Sequence, residues 1–236
     1  MKALFKHELR AYFYSPVTYI FIGLFFMICA LYFFIDNIKG RSADFSSFYG
    51  TFPVVMLFML PVLTAGSIAD DRKSGMEILL ITSPSSVPGI IFGKFLALMC
   101  VFAAMLLPTL ILPCFMLLFA NVSTGLLICR YTGLLLLGAS IISFGIFASS
   151  LTENQVSAAI VSLLVLLLMF ISKPIGRAAG GTLAGILNGF SVFSRFSDIN
   201  SGRLDIEALV YYLGFCFAFL FFTVQATNFR RYGGGK

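Results

Sequence analysis

The chain has 236 residues, of which 59% are hydrophobic and 11% charged, with a formal net charge of +6 and a mean hydropathy of +0.99. Soluble domains carry about 25% charged residues, so this composition excludes a water-soluble protein and leaves no room in these residues for a soluble catalytic domain. The small positive excess sits beside apolar runs, which suits interface anchors and excludes an extended nucleic-acid surface.

The first element is an N-terminal helix over Lys2–Tyr14. At 100° per residue it gathers Leu4, Phe5, Leu9, Tyr12 and Phe13 on one half and Lys6, His7 and Arg10 on the other, with Glu8 as the exception. That is the pattern of an amphipathic helix lying in the membrane interface. Ser15-Pro16 then breaks it before a long apolar run.

About 20 apolar residues are needed to cross roughly 30 Å of hydrocarbon. Six runs meet that requirement, at residues 17–35, 51–69, 92–119, 126–149, 156–172 and 208–227. The first is too long for a signal-peptide core and is expected to be retained. Pro108 and Pro113 are expected to kink the third, because each removes a backbone donor. Between spans five and six, residues 173–207 are glycine-rich and too apolar for a free loop. They fit either a re-entrant or surface-lying helix or a packed external cap.

Lysine and arginine in the short loops set the orientation. With the N-terminus inside, Lys2, Lys6, Arg10, Arg72, Lys73, Lys94, Arg230, Arg231 and Lys236 are cytoplasmic. Lys39, Arg41, Arg130, Lys173, Arg177, Arg195 and Arg203 are outside, four of them in the long segment that translocates with less regard to charge. Both termini are therefore expected in the cytoplasm.

The densest charged stretch lies between spans two and three, where Asp70, Asp71, Arg72, Lys73 and Glu77 fall close together. Unpaired charges of this kind cost several kcal/mol in lipid. The stretch must sit in water or against another protein, which makes it the candidate docking point. The bland alternative is a solvated loop whose charges set topology.

Enzymatic chemistry finds little support. The string Gly89-Ile90-Ile91-Phe92-Gly93-Lys94 has the wrong glycine spacing for a phosphate-binding loop and lacks the hydroxyl residue that would hold Mg²⁺, so Lys94 reads as an interface anchor. No HExxH or GxSxG occurs. The five cysteines, Cys29, Cys100, Cys114, Cys129 and Cys216, lie in or beside apolar runs without CxxC spacing and read as buried, inert thiols. The span interiors carry almost none of the ionisable groups that ion-driven carriers need near the midplane. They carry small residues instead, Gly133, Gly138, Ser140, Ser143, Gly145 and Ala148 in span four and Ser157, Ala158, Ala159 and Ser162 in span five. These suit helix packing first, and the lining of a translocation path as the sharper alternative.

The run Asp71-Arg72-Lys73-Ser74-Gly75-Met76-Glu77-Ile78-Leu79-Leu80-Ile81-Thr82-Ser83-Pro84, followed by Gly93-Lys94, resembles the coupling region of ABC-2 type transporter permeases. Asp71 stands where that family usually has Glu, and Met76 where it has Thr. The resemblance extends over the whole chain. Lys6-His7-Glu8-Leu9-Arg10 with Ser15-Pro16 is similar to the family's connecting helix, and Leu151-Thr152-Glu153-Asn154-Gln155 to its turn after span four. Phe193-Ser194-Arg195-Phe196, Ser201-Gly202-Arg203-Leu204-Asp205, Tyr211-Tyr212 and Asn228-Phe229-Arg230-Arg231-Tyr232 resemble the gliding-motility (GldF-like) branch.

The resemblance implies a single all-α transmembrane domain over 1–236, with six spans, the interfacial helix and a cytoplasmic coupling helix between spans two and three. It implies a bacterial inner-membrane permease of an ATP-driven exporter with no ATPase of its own. The partners would be a cytoplasmic ATP-binding subunit, which binds the ATP and Mg²⁺, and a second permease, identical or related. Asp71, Arg72, Lys73, Gly75, Glu77 and Leu79 would couple to the ATPase, with Met76 and Ile78 adding an apolar anchor. No residue would be catalytic, no cofactor or metal would sit in this chain, and no nucleic acid would bind. A non-transporting membrane assembly or anchoring subunit is the alternative.

Overall fold

The structure, a computed structural model, describes residues 2–40, 46–73, 87–117, 124–179, 191–203 and 205–233. Among these residues the secondary structure is entirely helical: α1 (Lys2–Tyr14), α2 (Pro16–Phe33), α3 (Ser46–Lys73), α4 (Val87–Leu106), α5 (Ile111–Leu117), α6 (Thr124–Leu151), α7 (Gln155–Ala179), α8 (Val192–Asn200) and α9 (Ile206–Gly233). Six stretches are long and apolar enough to cross a membrane: Pro16–Lys39, Ser46–Lys73, Val87–Phe115, Thr124–Leu151, Gln155–Ser172 and Ile206–Phe229. Each matches one of the six apolar runs, and the chain is a multi-pass helical membrane protein.

Local chemistry explains where the helices start, bend and stop. Pro16 occupies the first turn of α2, where its missing N–H would lack a helical partner anyway. The third span is interrupted at Pro108, where α4 gives way to a 3-10 turn at Pro108–Leu110 before α5 resumes. The Thr109 hydroxyl donates to the Leu106 carbonyl at 2.7 Å within that bend. Pro174 lies beyond the fifth span but does not end its helix, since α7 runs through it to Ala179. A proline inside a helix forfeits its own hydrogen bond, and a helix spared other conflicts can bend and continue. Gly202, at φ 92°, takes the left-handed conformation that terminates the α8 turn.

The bundle is organised around α3 and α6, which bury 78% of their most apolar stretch, against 22% for α2 and α7. The outer helices turn large apolar side chains such as Leu24, Leu164 and Phe217 outward, as a lipid-facing surface requires. Within the core, Phe52 and Phe48 of α3 meet Phe25 and Phe33 of α2 edge to face, and Tyr49 packs edge to face on Phe48 beside them. Glycines on α6 allow close approach on several sides: Gly133 faces Ile199, Gly138 faces the Phe102 ring and Gly145 faces Thr64. Ser140, Ser143 and Ala148 are buried with them. In this chain the small residues of span four serve close packing, and they do not line an open path.

The α6–α3 contact also has a polar element. The Ser149 hydroxyl donates to the Ala65 carbonyl at 2.7 Å and accepts from the Ile68 and Ala69 amides, each at 3.1 Å. A side chain of one helix thus enters the hydrogen-bond ladder of its neighbour, one turn before the charged end of α3.

At the end of the bundle opposite the termini, α8 lies packed through buried Val192, Phe193, Phe196 and Ile199. The Tyr212 hydroxyl donates to the Val192 carbonyl at 2.8 Å, and Ser191 donates to the Met169 carbonyl at 2.9 Å. Of the segment before span six, residues 180–190 lie outside the described residues. The described part is a helix seated on α6 and α7.

Gly138 and Gly214 make a direct test of the packing. A Cβ at Gly138 would collide with the Phe102 ring, whereas one at Gly214 meets nothing within 4 Å. Gly138→Ala is expected to destabilise the purified protein by about 1–3 kcal/mol through overpacking. Gly214→Ala is expected to be neutral or stabilising by up to about 1 kcal/mol through helix propensity. Thermal unfolding in detergent, read by helical circular dichroism, distinguishes the two.

Candidate functional site

The charged residues converge at the end of the bundle that carries both termini. The last turn of α3 holds Asp71, Arg72 and Lys73, and α4 begins at Val87. The second half of α9 returns to the same end, where Leu220 and Val224 pack on Val87 and Ile91. Helix α1 lies across this end and packs mainly on α4.

Glu8, the residue that breaks the two-faced pattern of α1, has a specific partner. The Lys94 ammonium lies 2.8 Å from Glu8 Oε1 and 2.7 Å from Asp71 Oδ2. Lys94 is only 3% exposed. It is therefore not an interface anchor but the centre of a buried node joining α1, α3 and α4. The reason is geometric: Lys94 stands two turns inside α4, on a face covered by α1, so its side chain cannot reach water. An ammonium has three donors, and here two carboxylates accept from it. Removing Lys94 from such a node leaves its two carboxylates without a counter-charge, a loss that costs about 3–5 kcal/mol.

Neighbouring contacts extend the node sideways. Arg72 Nη1 donates to the Thr152 carbonyl at 3.1 Å, which ties the end of α3 to the end of α6. A guanidinium at a helix C-terminus also meets the negative end of that helix dipole. The next turn is short, with α6 ending at Leu151 and α7 starting at Gln155. There the Asn154 side-chain oxygen accepts from the Val156 amide at 3.0 Å and caps α7. Burial pushes the Tyr12 phenol above its usual range, and Glu8, Asp71 and Asp70 push it further, so its hydroxyl stays protonated.

The expected coupling residues divide into two groups. Asp71 belongs to the node, Arg72 to the α6 contact, and Lys73 is exposed. Gly75, Glu77 and Leu79, with Met76 and Ile78, lie in 74–86, outside the described residues. Glu8 and Lys94 are the members that sequence reasoning did not pair. The lone acid on the charged half of α1 was the available signal, but nothing local named its partner.

A second buried cation stands at the far end. Arg130 is 3% exposed. It donates through Nε to the Asn200 carbonyl and through Nη2 to Ser46 Oγ, both at 3.0 Å, and lies over the Tyr49 ring. Asn200 completes the knot by donating to the Ser46 carbonyl at 2.8 Å. This arginine, counted by sequence as an outer loop charge, binds α3, α6 and the end of α8 together.

Among the described residues no group of three or more His, Cys, Asp or Glu side chains is placed to hold a metal. Cys29, Cys129 and Cys216 are buried, but Cys100 and Cys114 are exposed on the outer surface of the bundle, contrary to the expectation of uniformly buried thiols. No family model and no curated protein matches this chain.

The node predicts a distinctive mutational pattern. Lys94→Met strands two carboxylates and is expected to lower stability by about 3–5 kcal/mol. Adding Glu8→Gln to it is expected to restore part of that loss, because one stranded charge disappears. Denaturation midpoints for the two single variants and the double variant check the coupling.

Proposed function

We propose that this chain is the membrane-spanning permease subunit of an ABC-2 type exporter, of the gliding-motility (GldF-like) branch. It would carry no ATPase of its own and would couple ATP hydrolysis by a separate cytoplasmic subunit to translocation of a substrate. ATP and Mg²⁺ belong to that subunit, and a second permease copy or a related permease completes the membrane unit. In this reading the chain sits in a bacterial inner membrane with both termini in the cytoplasm, and α1 lies in the interface.

The buried Lys94 node carries this reading. The segment 74–86 joins the end of α3, which holds Asp71, to the start of α4, which holds Lys94 two turns in, and those two residues are ion-paired. Glu8 extends the pairing to α1, and Arg72 extends it to the end of α6. A push on the segment by a closing ATPase dimer would reach four helices through short polar contacts. Packed helices with two discrete arrangements carry such motion better than a loose loop. Asp71 and Arg72 thus support the segment from inside the bundle, while Lys73, Gly75, Glu77 and Leu79 remain for the docking itself.

The close packing of α6 favours the second reading, a membrane assembly or anchoring subunit that binds the same kind of partner and moves nothing. Gly133, Gly138 and Gly145 are filled by side chains of neighbouring helices. An exporter would then form its path between two permeases, whereas an anchor would have none.

Affinity purification of the tagged full chain from its native membrane is expected to retain an ATP-binding subunit. In liposomes containing both, Glu77→Ala is expected to weaken ATPase binding about tenfold or more, the cost of losing an interface anchor. Absence of any ATPase partner would sink both readings. Retention of the ATPase with hydrolysis indifferent to Glu77→Ala would favour the anchor. A reporter fused to the C-terminus, active on only one side of the membrane, checks the orientation.

A further inference from the structure

A cavity of about 260 Å³ opens beside the node, between α1, α2, α3 and the start of α7. Five polar side chains line it: Tyr12, Ser15, Thr18, Asp70 and Gln155. None of their side chains hydrogen-bonds to a described residue. Thr18 is only 2% exposed, and its hydroxyl makes no hydrogen bond to a described residue. It is buried at the cavity's inner wall, Tyr12 and Ser15 are half-buried, and Asp70 and Gln155 stand exposed at the mouth. A buried polar group is normally satisfied, so the Thr18 hydroxyl calls for a partner from within the cavity.

The electrostatics set its charge. Lys94 is taken up by Glu8 and Asp71, while Asp70 makes no ion pair with a described residue. Gly66 brings the polar groups together. A Cβ at that position would meet Asp70 Oδ2 at 2.5 Å and Gln155 Nε2 at 3.1 Å, so the bare backbone lets the carboxylate and amide ends approach over it as they stand. The remaining walls are apolar, with Phe21, Val62 and Leu63 leading onto the surface of α2 and α3. A polar head with a carboxylate acceptor, joined to an apolar exit, matches an amphiphilic cation.

We propose that this cavity binds the primary ammonium of an aminophospholipid headgroup. Asp70 takes the ammonium, the Tyr12 and Thr18 hydroxyls and the Gln155 amide donate to the adjoining phosphate, and the acyl chains leave across Phe21 and Val62. A headgroup with no positive centre would bring its phosphate against the Asp70 carboxylate with no cation between them. A quaternary ammonium would keep the charge but lose the N–H donors to Asp70. This inference needs only the membrane-spanning fold and goes beyond the permease reading, because no ATPase or second permease enters it.

Native mass spectrometry of the purified full chain in detergent tests it with phosphatidylethanolamine, phosphatidylcholine and phosphatidylglycerol of identical acyl chains. Phosphatidylethanolamine is expected to bind about tenfold or more tightly than either other lipid, the worth of one charge-assisted hydrogen bond. Asp70→Asn is expected to remove that preference, and Asp198→Asn, an exposed acid on α8, is expected to keep it. Equal binding of the three lipids by the unmodified chain overturns the proposal, and this arm needs no variant to fold. An equal loss in both variants also overturns it, since net charge would then explain the effect. Free ethanolamine competing as well as the lipid would assign the site to a soluble amine and overturn the lipid assignment.

Discussion

A lysine ammonium that cannot reach water dictates the arrangement of one whole end of this protein. Lys94 lies inside the bundle, and an isolated buried charge is costly enough that folding must bring it partners. Glu8 and Asp71 meet that demand. Once they do, α1 is held across the start of α4 and the end of α3 is held beside both. The orientation of the N-terminal helix, the place where segment 74–86 departs and the contact between Arg72 and the end of α6 all depend on that pairing.

The opposite end uses the same physics with a different cation. Arg130 has a planar fork that can donate in two directions and stack on an aromatic face, and it does all three with Asn200, Ser46 and Tyr49. Between these two polar knots the interior is held by close packing of α3 on α6. Lipid gives helices no hydrophobic reason to associate, so van der Waals contact and small residues carry the work. Gly138 under Phe102 and Gly145 under Thr64 show how. Close contact in the middle and charged clamps at the ends hold the bundle together along its length.

The polar contacts at the terminal end fall into two kinds with different consequences. The Lys94 node is closed, with its donors directed at protein carboxylates. The neighbouring cavity is open, with Asp70, Thr18 and Gln155 facing space. Lys94 follows Asp71 by 23 positions, and Asp70 stands next to Asp71, yet adjacent carboxylates on α3 point to these different environments because successive helical residues lie about 100° apart.

The sequence alone determined the membrane-spanning class, the six spans, the kink at Pro108 and the helical character of Lys2–Tyr14. Hydrocarbon thickness, missing proline donors and helical periodicity are local constraints that a single stretch of residues displays. It also marked Asp71, Arg72 and Lys73 as charges that lipid would reject. Tertiary structure decided which partners those charges take. Glu8 meets Lys94 across 86 residues, and Arg130 meets Asn200 across 70, distances over which sequence pattern carries no information about approach. It likewise turned Lys94 from an anchor into a buried centre, and turned the small residues of α6 toward packing. Whether a charge faces water or a glycine faces a ring depends on which helix lies against it, and only the packed bundle sets that.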